Sequence, residues 1–320
     1  MQSIQTGLSF PLAAVKPLDG LLGYRAFCVE ATRAAVGTAP GRRQRSPVGE
    51  APLERAGDIE GLDYVRCPET GSLFLAARPP SAGWAGLLAE VARYRRSPEA
   101  FHHGIARSRS DSVYLPKLEW IENTIRVEGL ERPRVMEVVT QPSDFTPLLE
   151  TSRSISAVVS VDEMALASAE PPAGDPVDAA VLLESLDRVD DPQALLAAVR
   201  RRLVPGGLIF VTALVSSGFD MTVLGFHNRY LYPPDRANCF SLRGMVRLLE
   251  GAGLGLVEVS TPGVLDVEIV AVHARHDPSL SLSAFERQLL AADRPTWSAF
   301  QAFLQERGLS SFARFVGRNP

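Results

Sequence analysis

Apolar residues recur along this chain with two different periods, and the change from one to the other divides it. Near the N-terminus two short apolar runs, Tyr64-Val65 and Leu73-Phe74-Leu75, flank a Pro/Gly turn, which predicts a hairpin over 64–75. Over 84–94 Leu87, Leu88, Val91 and Tyr94 share a helical face, and over 113–127 Leu115, Leu118, Ile121 and Ile125 do the same. From Arg134 onward strand-length apolar runs alternate with helical ones. Strands are expected at 135–139, 156–161, 179–183, 208–213 and 256–260, and helices at 145–151, 192–203 and 242–252. Ser143 or Asp144 is a fitting cap for the first of these helices, and Pro147 is tolerated in its first turn. Arg200, Arg201 and Arg202 close the second, where the helix dipole favours cations. Pro205-Gly206-Gly207 then breaks the chain before the next strand, and Gly253 ends the third helix. Such alternation implies an α/β fold, a parallel sheet wound on both faces by helices.

Composition changes this picture little. Of 320 residues, 46% are hydrophobic and 22% charged, the balance of a globular protein. A net charge of -4 argues against a general nucleic-acid surface. No apolar run approaches the roughly 20 residues that span a bilayer, and the first twelve residues lack the pattern of a signal peptide. A cytoplasmic protein without membrane or nucleic-acid partners is expected. Cys28, Cys67 and Cys239 form no Cys-x-x-Cys pair, and no metal site is expected. The run 37–46, GTAPGRRQRS, reads as a loop whose arginines are solvated.

The segment 178–212, DAAVLLESLDRVDDPQALLAAVRRRLVPGGLIFVT, resembles the stretch between the fourth and fifth strands of the S-adenosylmethionine (SAM) dependent methyltransferases. Asp178 opens the strand, Asp191-Pro192 starts the helix, and Leu203, Pro205, Gly206 and Gly207 precede the next strand, as in that family. Where the family carries Glu-His, this chain has Asp187-Arg188. The ending FQAFLQERGLSSFARFVGR is similar to that of a subgroup with an N-terminal cysteine cluster, whose members often modify sugars or other small molecules. The resemblance implies a doubly wound, seven-stranded Rossmann-like sheet over 111–320, with a helical insertion at about 266–308, and a small N-terminal module over 1–110. Within that module Tyr64 to Gly71 resembles a zinc knuckle with Thr70 at the second cysteine; it is expected as a metal-free remnant.

The resemblance also implies SAM as cofactor, and the loop that would hold it departs from the family. There the first strand ends in an acid and a Gly-x-Gly-x-Gly turn, which lets backbone approach the ligand. Here Glu137 is the acid, and Val139, Gln141 and Ser143 stand where the glycines would be; Pro142 removes a further donor. Glu137 is read either as a contact for the cofactor's amino group or as a solvated strand end. Asp162, ending the second strand, either binds the ribose hydroxyls or caps the next helix. Asp178 completes the cofactor set that the resemblance suggests. The family's adenine-facing acid has a weak counterpart in Asp175, with a surface loop as the plainer reading. In the long loop 216–238 His227, Tyr230 and Tyr232 are the candidates for base or acceptor contact, weighed against loop and packing roles. Two function classes follow: a methyltransferase acting on a small-molecule or sugar-type acceptor, and an inactive paralogue that binds a protein partner or pairs with itself. A nicotinamide oxidoreductase is excluded, because no Gly-x-Gly-x-x-Gly follows a strand.

Overall fold

The computed structural model describes residues 10–37, 41–97, 100, 102–140, 143–168 and 174–320. After a helical turn at Leu12–Val15 come a long helix, α1 (Leu18–Val36), and three antiparallel strands, β1 (Glu54–Ile59), β2 (Leu62–Arg66) and β3 (Leu73–Leu75). Helices α2 (Ser81–Arg95) and α3 (Leu115–Val127) follow, then strands β4 (Arg134–Val139), β5 (Ala157–Asp162) and β6 (Val177–Leu183). Helix α4 (Pro192–Arg202) leads into β7 (Leu203–Leu214). A short strand β8 (Asn238–Cys239), helix α5 (Leu242–Gly251), strand β9 (Gly255–Ser260), helices α6 (Asp266–His276), α7 (Ala284–Leu290) and α8 (Arg294–Glu306), and strand β10 (Phe312–Arg318) complete it.

The main sheet has the order β9-β10-β7-β6-β4-β5. Pairing is parallel from β7 to β5, and β10 runs antiparallel to both its neighbours. Successive strand residues point to opposite faces. Ala179, Val181, Leu208 and Phe210 therefore meet Leu118, Trp120 and Ile121 of α3, while Ala180, Leu182, Ile209 and Val211 meet Leu196 and Val199 of α4 and Met245 and Leu249 of α5. Both faces are covered, which is why these strands read as continuous apolar runs. Helix α4 begins at Asp191, whose Oδ1 accepts from Ala194 N at 3.0 Å, and Pro192 occupies its first turn.

Three features differ from the sequence-based expectation. The sheet has six strands among the described residues, not seven: the Pro-rich stretch before Val177 forms no strand where described, and residues 169–173 lie outside that set. Pro205-Gly206-Gly207 does not precede β7 but lies inside it, because Gly206 takes φ +80 and bulges the strand without ending it. Helix α1 went unread because Pro17, Gly20 and Gly23 obscure its period.

The N-terminal strands do not stand alone. Their sheet has the order β8-β3-β2-β1, so its fourth strand comes from the loop after β7. Asn238 stitches this joint: its Nδ2 donates to Leu186 O and Val189 O, and its Oδ1 accepts from Arg43. Tyr24, Trp84 and Leu87 share one apolar cluster with Tyr232, Leu214 and Ile269. Helix α2 is thereby held over the carboxyl ends of the main-sheet strands.

Phe210 is fully buried and meets Trp120 edge-to-face at 5.3 Å. Phe210→Ala is expected to cost about 3–5 kcal/mol, read as a lowered urea midpoint at unchanged slope.

Candidate functional site

Parallel α/β sheets place ligand sites beyond the carboxyl ends of their strands. Here that end holds two adjoining cavities, of about 260 and 240 Å³. The first lies against Glu137, Val139 and Ser143 at the end of β4, under Arg95 of α2. The second lies under Lys16 and Leu21, against Phe312, Arg314 and the turn before α6. They meet at a waist to which both contribute Arg95, Arg109, Lys117, Glu184, Asp235 and Arg236.

Glu184 anchors the waist. It is the first residue beyond β6 and takes φ 62, a left-handed conformation rare for a residue with a side chain. Its carboxylate meets Lys117 Nζ at 3.6 Å and Arg236 at 2.6 Å. Against its partial desolvation, these cations hold its pKa well below the ordinary carboxylate value. Asp235 is likewise held low against the effect of its burial, by Arg95 at 3.2 Å and the Tyr24 hydroxyl at 3.0 Å. Lys117 pays for its burial with a pKa lowered to about 8.

Two buried acids beside the waist behave in the opposite way. Asp187 accepts from Leu214 N at 3.1 Å and has Arg236 at 3.4 Å, but its Oδ1 is buried without a partner. Desolvation raises it from 3.8 to about 8. Arg236 is thus shared unequally: Glu184 keeps the charge and Asp187 keeps the proton. Asp220, lining the second cavity, accepts from Asn228 at 3.0 Å and is raised to about 7 by burial and by neighbouring Asp266.

The sequence-derived candidates divide by position. Glu137 is 1% exposed, so it is no solvated strand end. Its two oxygens accept from Ser143 Oγ at 2.6 Å and from Thr146 Oγ1, and burial raises its pKa. Glu137, Val139 and Ser143 all line the first cavity; Gln141, like Pro142, lies outside the described residues. Asp162 lines neither cavity. Its Oδ1 accepts from Met164 N and Ala165 N at 3.0 and 2.9 Å, capping the short turn Glu163–Leu166. Asp178 opens β6, the opposite end of the sheet, and accepts from Arg134 N at 2.7 Å. Asp175 pairs with Arg134 on the surface. His227 sits in an exposed turn with Asp277 Oδ2 at 3.2 Å and lines neither cavity. Tyr230 lines the second cavity, its ring 3.9 Å from Lys16 Nζ.

Sequence reasoning missed Arg95, Arg109, Lys117, Glu184, Asp235 and Arg236. Glu184 alone carried a signal, as the residue directly after a buried strand. The others sit on helices and loops whose approach to the strand ends no local pattern encodes. Cys28 and Cys67 are buried in different apolar clusters, and no group of three or more ligand-type residues is placed to hold a metal among the described residues.

Comparison with known proteins bears on the central part of the chain. Residues 110–259 match the family model described as a methyltransferase domain. No curated protein matches. Among solved structures, a protein from Galdieria sulphuraria provisionally assigned as a sarcosine dimethylglycine methyltransferase is 12% identical, with TM-score 0.40, covering 64% of this chain and 86% of its own. A SAM-dependent methyltransferase from Thermotoga maritima is 14% identical, with TM-score 0.39, covering 74% and 99%. Coclaurine N-methyltransferase, bound to N-methylheliamine and SAH, is 9% identical, with TM-score 0.39, covering 65% and 73%.

The raised Asp187 has a measurable consequence. Its folded-state pKa lies above the unfolded value, so the native state holds the proton more tightly. Stability therefore falls as pH rises from the ordinary carboxylate range toward about 8. Asp187→Asn is expected to flatten that fall, so the variant gains on the wild type in urea melts at alkaline pH. An unchanged pH slope would contradict the assignment.

Proposed function

We propose that this protein keeps the ligand pocket of the methyltransferase fold, binds a small molecule there, and no longer holds the methyl donor. One observation carries the reading: the acids at the ends of β4 and β5 are consumed by the protein itself. SAM carries a sulfonium, an ammonium and one carboxylate, a net positive charge. Its ammonium and ribose hydroxyls need acceptors at these two strand ends. Glu137 is occupied by two hydroxyls, and Asp162 is turned into a helix cap. Fully buried Glu163 pairs with Arg188 at 3.0 Å and accepts from Thr140.

Charge points the same way. Arg95, Arg96, Arg109, Lys117, Arg188 and Arg236 line the first cavity against Glu137, Asp144, Glu184 and Asp235. A cationic donor entering this site meets more cations than anions. Backbone adds to the misfit, since Val139 offers no glycine-like freedom at the strand end. The residues present do not fit the donor in its customary pose, and no step of methyl transfer is derived through it.

Active methyl transfer to a small-molecule or sugar-type acceptor is the second reading. It is favoured by Glu137, which still faces the cavity at the place where a donor would lie.

Calorimetric titration with SAM separates the two. No saturable heat is expected from a sample whose circular dichroism shows it folded. Saturable micromolar binding to the unmutated protein would overturn the first reading, and its loss in Asp162→Ala would place the donor at that strand end; that variant itself forfeits only about 1 kcal/mol of capping.

A further inference from the structure

The second cavity has a charge pattern that selects a ligand class. Lys16, Arg109 and Arg314 all line it, and none has a carboxylate within 4.0 Å among the described residues. Among the described residues Arg109 donates to the Tyr114 hydroxyl, at 3.3 Å. Arg314 donates to Pro116 O at 3.4 Å, while its Nε is buried without a partner. Lys16 Nζ rests on the Tyr230 ring. Burial is the main cause that lowers the pKa of Lys16 and Lys117; Arg109 adds to it for both, and Arg314 for Lys117.

The acids nearby are already committed. Asp266 accepts from Ser310 Oγ and Ser311 N, each at 2.6 Å, and from Gln301 at 2.7 Å. Asp220 is satisfied in part by Asn228 and is pushed toward its neutral form by burial beside Asp266. Glu184 and Asp235 are held by Lys117, Arg236 and Arg95. Glu184 and Asp220 favour the charged form of Lys16, and Glu258 that of Arg314, but none makes a direct ion pair with them; partly desolvated cations without a direct partner gain from a bound anion.

Between these charges the wall is apolar. Phe10, Leu21, Val264, Ile269 and Phe312 line the same space. A free inorganic ion would leave that surface unused, and a neutral apolar molecule would leave the cations unpaired.

We infer that the second cavity binds an organic anion, an apolar or aromatic body carrying one carboxylate or phosphate, with Lys16, Arg109 and Arg314 receiving the headgroup. This rests on the reading that the pocket is a ligand site without its methyl donor, and it supplies the ligand class that reading leaves open.

The test is calorimetric titration of the full chain with 1-naphthyl phosphate, 1-naphthoate, neutral 1-naphthol and inorganic phosphate. Saturable binding of at least one naphthyl anion is expected, at least about tenfold tighter than naphthol or inorganic phosphate and weakened by added salt. Tighter binding of the phosphate assigns a phosphorylated ligand, and tighter binding of the naphthoate a carboxylate. Arg109→Gln and Lys16→Met are each expected to weaken the anion about tenfold. Their melting temperatures should match or exceed that of the wild type, since each removes a like charge from the cluster. Naphthol binding as tightly as the anions, or neither anion binding, overturns the inference, and both are read on unmutated protein. Titration of the same sample with SAM keeps the two claims apart: donor binding sinks the proposed function, whereas a null result with both ligands sinks only the anion site.

Discussion

Charge pairing at the carboxyl end of β6 holds the functional end of this molecule together. Glu184 takes a backbone conformation that costs roughly 1–3 kcal/mol for a residue with a side chain. Its carboxylate draws in Lys117 from α3 and Arg236 from the loop after β7. Half-buried pairs of this kind add little net stability, because desolvation and residual solvent screening offset the attraction. They fix geometry instead: three segments distant in sequence converge on one point, and the two cavities open on either side of it.

The same economy of charge governs the acids at the strand ends. Buried carboxylates need partners, and each acid at the ends of β4 and β5 has found one within the protein. Ser143 and Thr146 serve Glu137, backbone amides serve Asp162, and Arg188 serves Glu163. Arg188 stands where the resembling family carries histidine, so that exchange introduces a cation beside the strand-end acids. The first cavity is lined by more cationic than anionic side chains.

The N-terminal segment belongs to the same construction. Strand β8 closes its sheet from within the loop after β7, and Asn238 bonds both sides of the joint. This exchange presses α2 over the strand ends, so that Arg95 reaches the waist to meet Asp235 and Tyr24. A pocket wall built from the first third of the chain thus depends on a two-residue strand in its last third.

Local pattern determined the central elements of this protein. Apolar runs in β4, β6 and β7, the Asp191-Pro192 start of α4 and the amphipathic period of α3 suffice to place a wound α/β core, because burial on one or two faces writes itself into residue spacing. Glu137, Val139 and Ser143 are singled out by the resemblance of the first strand and its loop to the family's cofactor turn, not by burial spacing. Tertiary structure alone decided which charges meet. Nothing near Arg95, Lys117 or Arg236 marks it as a pocket residue, and the sequence does not tell whether Asp162 faces a ligand or caps its own turn. Ion pairs form through space between segments up to 190 residues apart. Their partners are chosen by the packing of helices over the sheet, which no local period records.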